Sequence, residues 1–194
     1  IYLNEHIGRK KLLENTGNIA LTGFTLPKIL WMKENEPENF LKISKVMLPK
    51  DYIAYRLSGV FATDVSDASG MLLLDVKNRK WSAEMIKISG LKEENFAKIY
   101  ESHKNIGCIK KEFSEKLGLN ENVKIIIGGG DQAIGAIGVG VVNDDYISVA
   151  LGTSGVVFAN NSEYIHDKKG RLHSFCHASG RYHQMGVILS AASC

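Results

Sequence analysis

The stretch Gly128-Gly129-Gly130-Asp131-Gln132-Ala133-Ile134-Gly135-Ala136-Ile137-Gly138-Val139-Gly140 places one carboxylate, Asp131, where an apolar run gives way to a helical pattern. Just before it, Val123-Lys124-Ile125-Ile126-Ile127 is rich in β-branched residues and bounded by the glycine cluster, which predicts a short buried strand. After Asp131 no charge appears until Asp144, and the glycine and alanine positions carry almost no side-chain bulk. Glycines at a strand end let backbone and ligand approach closely. An acid on such a turn is placed either to take a proton from a bound substrate or to cap the following helix. Both readings stay open on this stretch alone.

Composition narrows the class. At 194 residues the chain is long enough for one large domain or parts of two. Its apolar content of 44% and charged content of 23% are those of an ordinary globular protein. A net charge of +3 is too small to argue for a nucleic-acid or anionic-membrane partner. No apolar run approaches the roughly 18 residues of a membrane helix, and no secretory leader pattern opens the chain. The cysteines Cys108, Cys176 and Cys194 are odd in number and far apart, which speaks against a disulfide framework and for a reducing cytoplasm. The chain opens at Ile1 and stops after an apolar run, so it reads as an internal fragment.

Charge and glycine divide the chain unevenly. Residues 1–122 hold 35 of the 45 formal charges, whereas residues 123–194 hold 10 charges and 11 of the 19 glycines. That shift predicts a boundary near Gly118-Leu119-Asn120-Glu121-Asn122, separating residues 1–119 from 120–194. Before it, helices are expected from Lys28 to Glu36, from Pro37 through Ile43 and from Pro49 to Leu57. Ser82 is expected to cap a helix through Ile88, and another should run from Lys110 to Leu117. Phe61-Ala62-Thr63 and Gly70-Met71-Leu72-Leu73-Leu74-Asp75 read as a hairpin. Beyond the boundary, strands are expected at 123–127, 146–151, 156–159 and 181–189.

Between two of these strands lies Gly152-Thr153-Ser154-Gly155, which is either a tight hairpin turn or a turn offering N–H groups and hydroxyls to an anion. Gly128-x-Gly130-x-x-Ala133 formally fits a dinucleotide fingerprint. Asp131 beside the pyrophosphate, and Ala150-Leu151 where a ribose-binding acid should stand, count against it. Asp64 and Asp67 in Thr63-Asp64-Val65-Ser66-Asp67-Ala68-Ser69 are read as turn acids rather than cation ligands. His173, Cys176 and His177 lack a fourth ligand at a zinc-like spacing, so no metal site is expected there.

Taken together, these segments resemble the FGGY family of carbohydrate kinases. Gly23-Phe24-Thr25-Leu26-Pro27-Lys28-Ile29-Leu30-Trp31-Met32-Lys33-Glu34-Asn35 is similar to that family's first signature, and Thr63 to Ser69 to its linking segment. Gly129-Gly130-Asp131-Gln132-Ala133 looks like its catalytic-acid motif, and Leu151-Gly152-Thr153-Ser154-Gly155 like its second phosphate motif. His173-Ser174-Phe175-Cys176-His177-Ala178 and residues 183–192 are similar to stretches of members that phosphorylate D-xylulose rather than glycerol.

The resemblance implies an α/β, ribonuclease-H-like (actin-like ATPase) fold. On that basis residues 1–119 are the later part of a first kinase domain and 120–194 the start of a second. It implies ATP and Mg²⁺ as cofactors and a sugar as substrate, in a cytoplasmic enzyme. It allows a homodimer, with neither nucleic acid nor membrane as partner. Asp131 would be the general base. Gly152, Thr153 and Ser154 would hold ATP phosphates, and Asp131, Gly130 and Phe24 would meet the sugar. Gluconate, ribulose or glycerol as acceptor, or a non-catalytic sugar- or nucleotide-sensing module, are the alternatives. The opening Asp-x-Gly-Thr hairpin and the late adenine-binding motif of the family are absent from this sequence, so residues 1–194 alone are expected to be inactive.

Overall fold

Proline and glycine set most helix limits in the computed structural model, which describes residues 2–191; Ala192 and Cys194 of the motifs above lie outside the described residues. A π-helical turn, Leu3–Gly8, leads into α1 (Arg9–Thr16), which stops at Gly17 with φ of 74°. Next comes α2 (Thr25–Asn35), opening three residues before the expected Lys28. Pro27 fits because a first-turn residue has no intrahelical acceptor for its missing N–H. Pro37 then begins α3 (Pro37–Phe40), a single turn rather than a helix through Ile43. The chain is drawn off there because the Val46 N–H donates to the Asn95 carbonyl, forming a parallel bridge between Val46 and Phe96. After Pro49 comes α4 (Pro49–Ser58), closed by Gly59 at φ 79°.

The expected hairpin of residues 61–63 with 70–75 does not form. Instead β1 (Ala62–Asp64) turns directly into α5 (Val65–Ala68), because the Asp64 carboxylate caps that turn. The turn is followed by the 3₁₀ segment Ser69–Met71. Strand β2 (Leu74–Asp75) pairs with β3 (Lys80–Trp81). Ser82 caps α6 (Ala83–Ser89), as expected, by accepting from the Met85 N–H at 3.3 Å. A later strand, β4 (Lys98–Tyr100), is the true partner of β1 and runs parallel to it. Next are β5 (Asn105–Cys108), α7 (Lys111–Leu117) ending at Gly118, and β6 (Lys124–Ile126). The expected division at 119/120 falls between β5 and β6, which pair antiparallel with each other. Strand β6 is also less enclosed than expected: Lys124 and Ile126 are exposed and burial is complete only at Ile127.

After the glycine cluster, α8 (Asp131–Gly138) leads to a four-stranded antiparallel sheet. Its strands are β7 (Ile147–Leu151), β8 (Gly155–Asn161), β9 (His173–Cys176) and β10 (Tyr182–Ile188), in the order β7-β8-β10-β9. Three apolar clusters hold the elements together. The largest is built on Leu12, Leu26, Leu72, Leu73, Leu74 and Met85 and reaches Cys176 of β9. A second joins Ala54, Ala62, Ile106 and Ile127, and a third packs Ala136 and Val141 on Phe158 and Met185. Polar ties reinforce the junction. Asn18 exchanges hydrogen bonds with the Ser174 backbone at 2.9 and 3.0 Å. Arg79 clamps Glu101 at 2.8 and 2.9 Å and donates to the Arg181 carbonyl at 3.0 Å.

Among the described residues no helix is long and apolar enough to cross a membrane. Met85 has no exposed surface, whereas Leu41 is 82% exposed. Met85→Ala is therefore expected to cost about 2–5 kcal/mol of stability and Leu41→Ala under about 0.5 kcal/mol. Urea unfolding of the two variants checks this; equal losses would mean that the core is placed wrongly.

Candidate active site

The site is assembled around a buried acid. Asp64 ends β1 with no solvent exposure. Its carboxylate accepts from the Ser66 N–H at 2.8 Å, the Ser66 hydroxyl at 2.5 Å, the Ser102 hydroxyl at 2.6 Å and the Asp67 N–H at 3.3 Å. The Lys50 ammonium, reaching in from the first turn of α4, lies 2.9 Å from Asp64 Oδ1, 2.6 Å from Asp51 Oδ1 and 3.7 Å from Asp67 Oδ2. Burial alone would lower the Lys50 pKa, but the Asp64 and Asp51 charges outweigh it and the net direction is upward. Lys50 is thus held as a cation.

The same hydroxyl reaches the glycine cluster. Ser66 Oγ gives its proton to Asp64 and accepts the Gly130 N–H at 3.0 Å. The approach is close: a Cβ added to Gly129 would stand 2.7 Å from Ser66 Oγ and 3.1 Å from Ser102 Oγ. Gly128, at φ 75°, sets the preceding left-handed turn. Gly130 is the cap residue of α8 and Asp131 its first residue, with no side-chain capping bond. The helix-cap reading of Asp131 is therefore not met. Its exposed carboxyl group stands at the positive end of α8, free of structural duty.

Asp131 and Gly130 line a small cleft of about 160 Å³ together with Ser66, Asp67, Phe175 and His183. Asp67 is pushed up to about 6, first by burial, against Lys50, and further by the charges of Asp64, Asp51 and Asp131. His183 is 3% exposed, stacks on Phe158 at 4.2 Å, and its Nδ1 has no hydrogen-bond partner among the described residues. Burial, followed by His177 and His173, lowers His183 to about 3, so it enters the cleft as a neutral ring. The cleft offers an exposed carboxyl, a second carboxyl that titrates near neutrality, an aromatic wall and a neutral imidazole. A larger groove beside Tyr2, Leu21, Pro27 and Trp31 is mainly apolar, with Lys33 and Glu34 at its edge.

The other residues singled out in the sequence are placed differently. Gly152, Thr153 and Ser154 form the turn between β7 and β8 and do not line the cleft. The Gly152 N–H donates to the Ser154 carbonyl at 2.9 Å, because the Leu151 and Gly155 pair closes the hairpin tightly. This leaves the exposed Thr153 and Ser154 to face solvent. Gly155 pairs with Ile188, three residues beyond Met185 at the cleft, so the turn lies about 10 Å farther along β10. Phe24 is 5% exposed in the main core, edge-on to Phe175 at 6.2 Å, so it stands behind the aromatic wall rather than on it. No three His, Cys, Asp or Glu side chains stand together as metal ligands among the described residues. The sequence reading passed over Lys50, Ser66 and His183 at the site, and Ser102, which does not line the cleft and acts only as a partner of Asp64. An Asx cap at Asp64 was legible in Asp64-Val65-Ser66-Asp67; Ser102, 38 residues away, left no signal.

A family model described as the FGGY family of carbohydrate kinases, N-terminal domain, matches residues 2–138. The chain belongs to the FGGY family of carbohydrate kinases. A curated relative, the xylulose kinase of Escherichia coli, is 44% identical over 92% of this chain and 37% of its own length. The solved structure described as a xyloylose kinase from Brucella ovis is 43% identical, with a TM-score of 0.91, over 94% of this chain and 38% of that one. A gluconate kinase from Lactobacillus acidophilus is 27% identical with a TM-score of 0.92, over 98% of this chain and 39% of that one. This FGGY chain spans less than two-fifths of the length of these proteins, and its fold is their actin-like ATPase fold.

The Asp67 carboxyl holds its proton more tightly folded than unfolded, so its contribution to stability is present below about pH 4 and is lost as pH rises through about 6. Asp67→Asn removes that loss. Thermal melts are expected to show the variant gaining on the unsubstituted protein between pH 4 and 7, by roughly 1 kcal/mol given the partial exposure of the side chain. A pH-independent difference would contradict the placement.

Proposed function

We propose that the whole protein transfers the γ-phosphoryl group of ATP to the terminal hydroxyl of D-xylulose, giving D-xylulose 5-phosphate. The observation that carries this reading is Asp131: an exposed acid at the first position of α8, fixed by a glycine loop and facing a cleft with an aromatic wall. The relationship to a xylulose kinase at 44% identity supports the choice of sugar.

In this reading Asp131 accepts the proton of the attacking hydroxyl. The hydroxyl oxygen forms the new P–O bond as the bond from phosphorus to ADP breaks. Such transfers depend chiefly on placement and charge stabilisation, so base assistance adds to positioning rather than replacing it. The hydroxyls and N–H groups of Thr153 and Ser154 would receive ATP phosphates, and the step of about 10 Å along β10 is one that a polyphosphate can bridge. Within the turn Gly152 serves geometry, since its N–H is taken.

A Mg²⁺ ion bound to the phosphates would supply charge neutralisation. Mg²⁺ held in that way needs only one or two protein carboxylates, and Asp131 and Asp67 are the pair at the cleft. Dividing the chain between two kinase domains belongs to the same proposal. The β5 and β6 pairing ties residues as far as 126 to the first of them, and the glycine cluster follows at once. The free thiols of exposed Cys108 and buried Cys176 suit the reducing cytoplasm where ATP is supplied.

The gluconate kinase relative makes an aldonate acceptor the specific rival. Phosphorylation rates for D-xylulose and gluconate with the whole protein separate the two, and faster turnover of gluconate would reject the xylulose reading. Asp131→Asn is expected to abolish turnover while sugar affinity stays within about tenfold, or 1.4 kcal/mol. Retained turnover would remove Asp131 from the base role.

A further inference from the structure

We propose that Ser66, held in place by Lys50 and Asp64, is a positioning residue that fixes the Gly130 backbone and thereby aims Asp131; this rests on the kinase reading above. The hydrogen-bond polarity leaves one arrangement. The Asp64 carboxylate stands 2.9 Å from the Lys50 ammonium and accepts from both serine hydroxyls. The Ser66 proton is therefore committed to Asp64, at 2.5 Å, and the hydroxyl lone pairs are left to receive the Gly130 N–H at 3.0 Å. Ser102 Oγ stands 3.3 Å from Ser66 Oγ, but its own proton goes to the same Asp64 oxygen at 2.6 Å. It therefore competes with Gly130 for no acceptor site that Ser66 needs.

The consequence is a chain of charge and hydrogen bonds from α4 to the loop before α8. Gly130 is one residue from Asp131, and only a bare Gly129 admits the Ser66 hydroxyl at this distance. Glycine-rich backbone is the least self-ordered in the protein, so an external acceptor on its last N–H restricts where the acid can point. Loss of one such bond to a charge-polarised hydroxyl is expected to act on turnover more than on binding, because placement of the reacting groups governs the chemical step.

The test uses the whole protein with D-xylulose and ATP, and hydrogen exchange of the peptide that contains residues 128–133. Ser66→Ala is expected to lower kcat about tenfold or more, to leave both KM values within about threefold, and to raise Gly130 amide exchange by a similar factor. Ser66→Thr, which keeps the hydroxyl, is expected to restore both. Ser102→Ala removes the other hydroxyl from Asp64 without touching Gly130, and is expected to keep kcat within about threefold even if the protein melts earlier. If Ser66→Ala does not fold, Ser66→Cys, with a weak acceptor of similar size, gives the same directions. An unchanged kcat or unchanged Gly130 exchange in the Ser66 variants overturns the proposal, as does an equal loss of kcat in Ser102→Ala. If the unsubstituted protein shows no turnover, the kinase reading fails on its own, and the exchange result still decides whether Ser66 anchors the loop.

Discussion

A carboxylate with no solvent exposure, Asp64, accepts from two hydroxyls and two backbone N–H groups and stands against one ammonium group. Burying a charge is tolerable only when such partners are in place. They come from distant parts of the chain: Lys50 from α4, Ser66 and Asp67 from the turn after β1, and Ser102 from beyond β4. Any fold that separates these elements leaves the carboxylate uncompensated. The parallel pairing of β1 with β4 is thus enforced by polar satisfaction as well as by the apolar cluster beside it.

That arrangement shapes the cleft electrically. One cation, Lys50, faces the carboxyls of Asp51, Asp64 and Asp67. The two more deeply buried acids lie nearest to it, and Asp67, at 3.7 Å, is left to hold its proton to about pH 6. In the same cleft, burial keeps His183 neutral and Phe175 is apolar. Among the described residues no Lys or Arg lines the cleft beside Asp131.

Local chemistry was legible in the sequence wherever it acts over a few residues. Pro37, Pro49, Ser82, Gly59 and Gly118 mark helix ends because their backbone or side-chain preferences need no distant partner. The glycine cluster before Asp131 likewise announced a turn that only glycine permits. What depends on long-range pairing was not legible. Residues 61–63 and 70–75 read as a hairpin, but β1 finds its partner 36 residues on, and Asp64 turns the chain into a helix first. Residues 173–176 were not expected as a strand, because pairing with β10 is set by register and not by composition. Asp131 and Gly130, which line the cleft, were singled out from their motif, whereas Lys50, Ser102 and His183 were not. Their roles exist only once separate elements meet. Phe24 was placed one layer too far forward, since a signature motif marks restricted positions and not their depth in the core.

The Asp64 carboxylate organises the elements around the cleft. Urea unfolding of Asp64→Asn beside the unsubstituted protein tests this most directly. The substitution keeps the shape but removes the charge that Lys50 and the two serine hydroxyls address, and a loss of about 3 kcal/mol is predicted. A change below about 0.5 kcal/mol, the range of an ordinary surface substitution, would contradict the account.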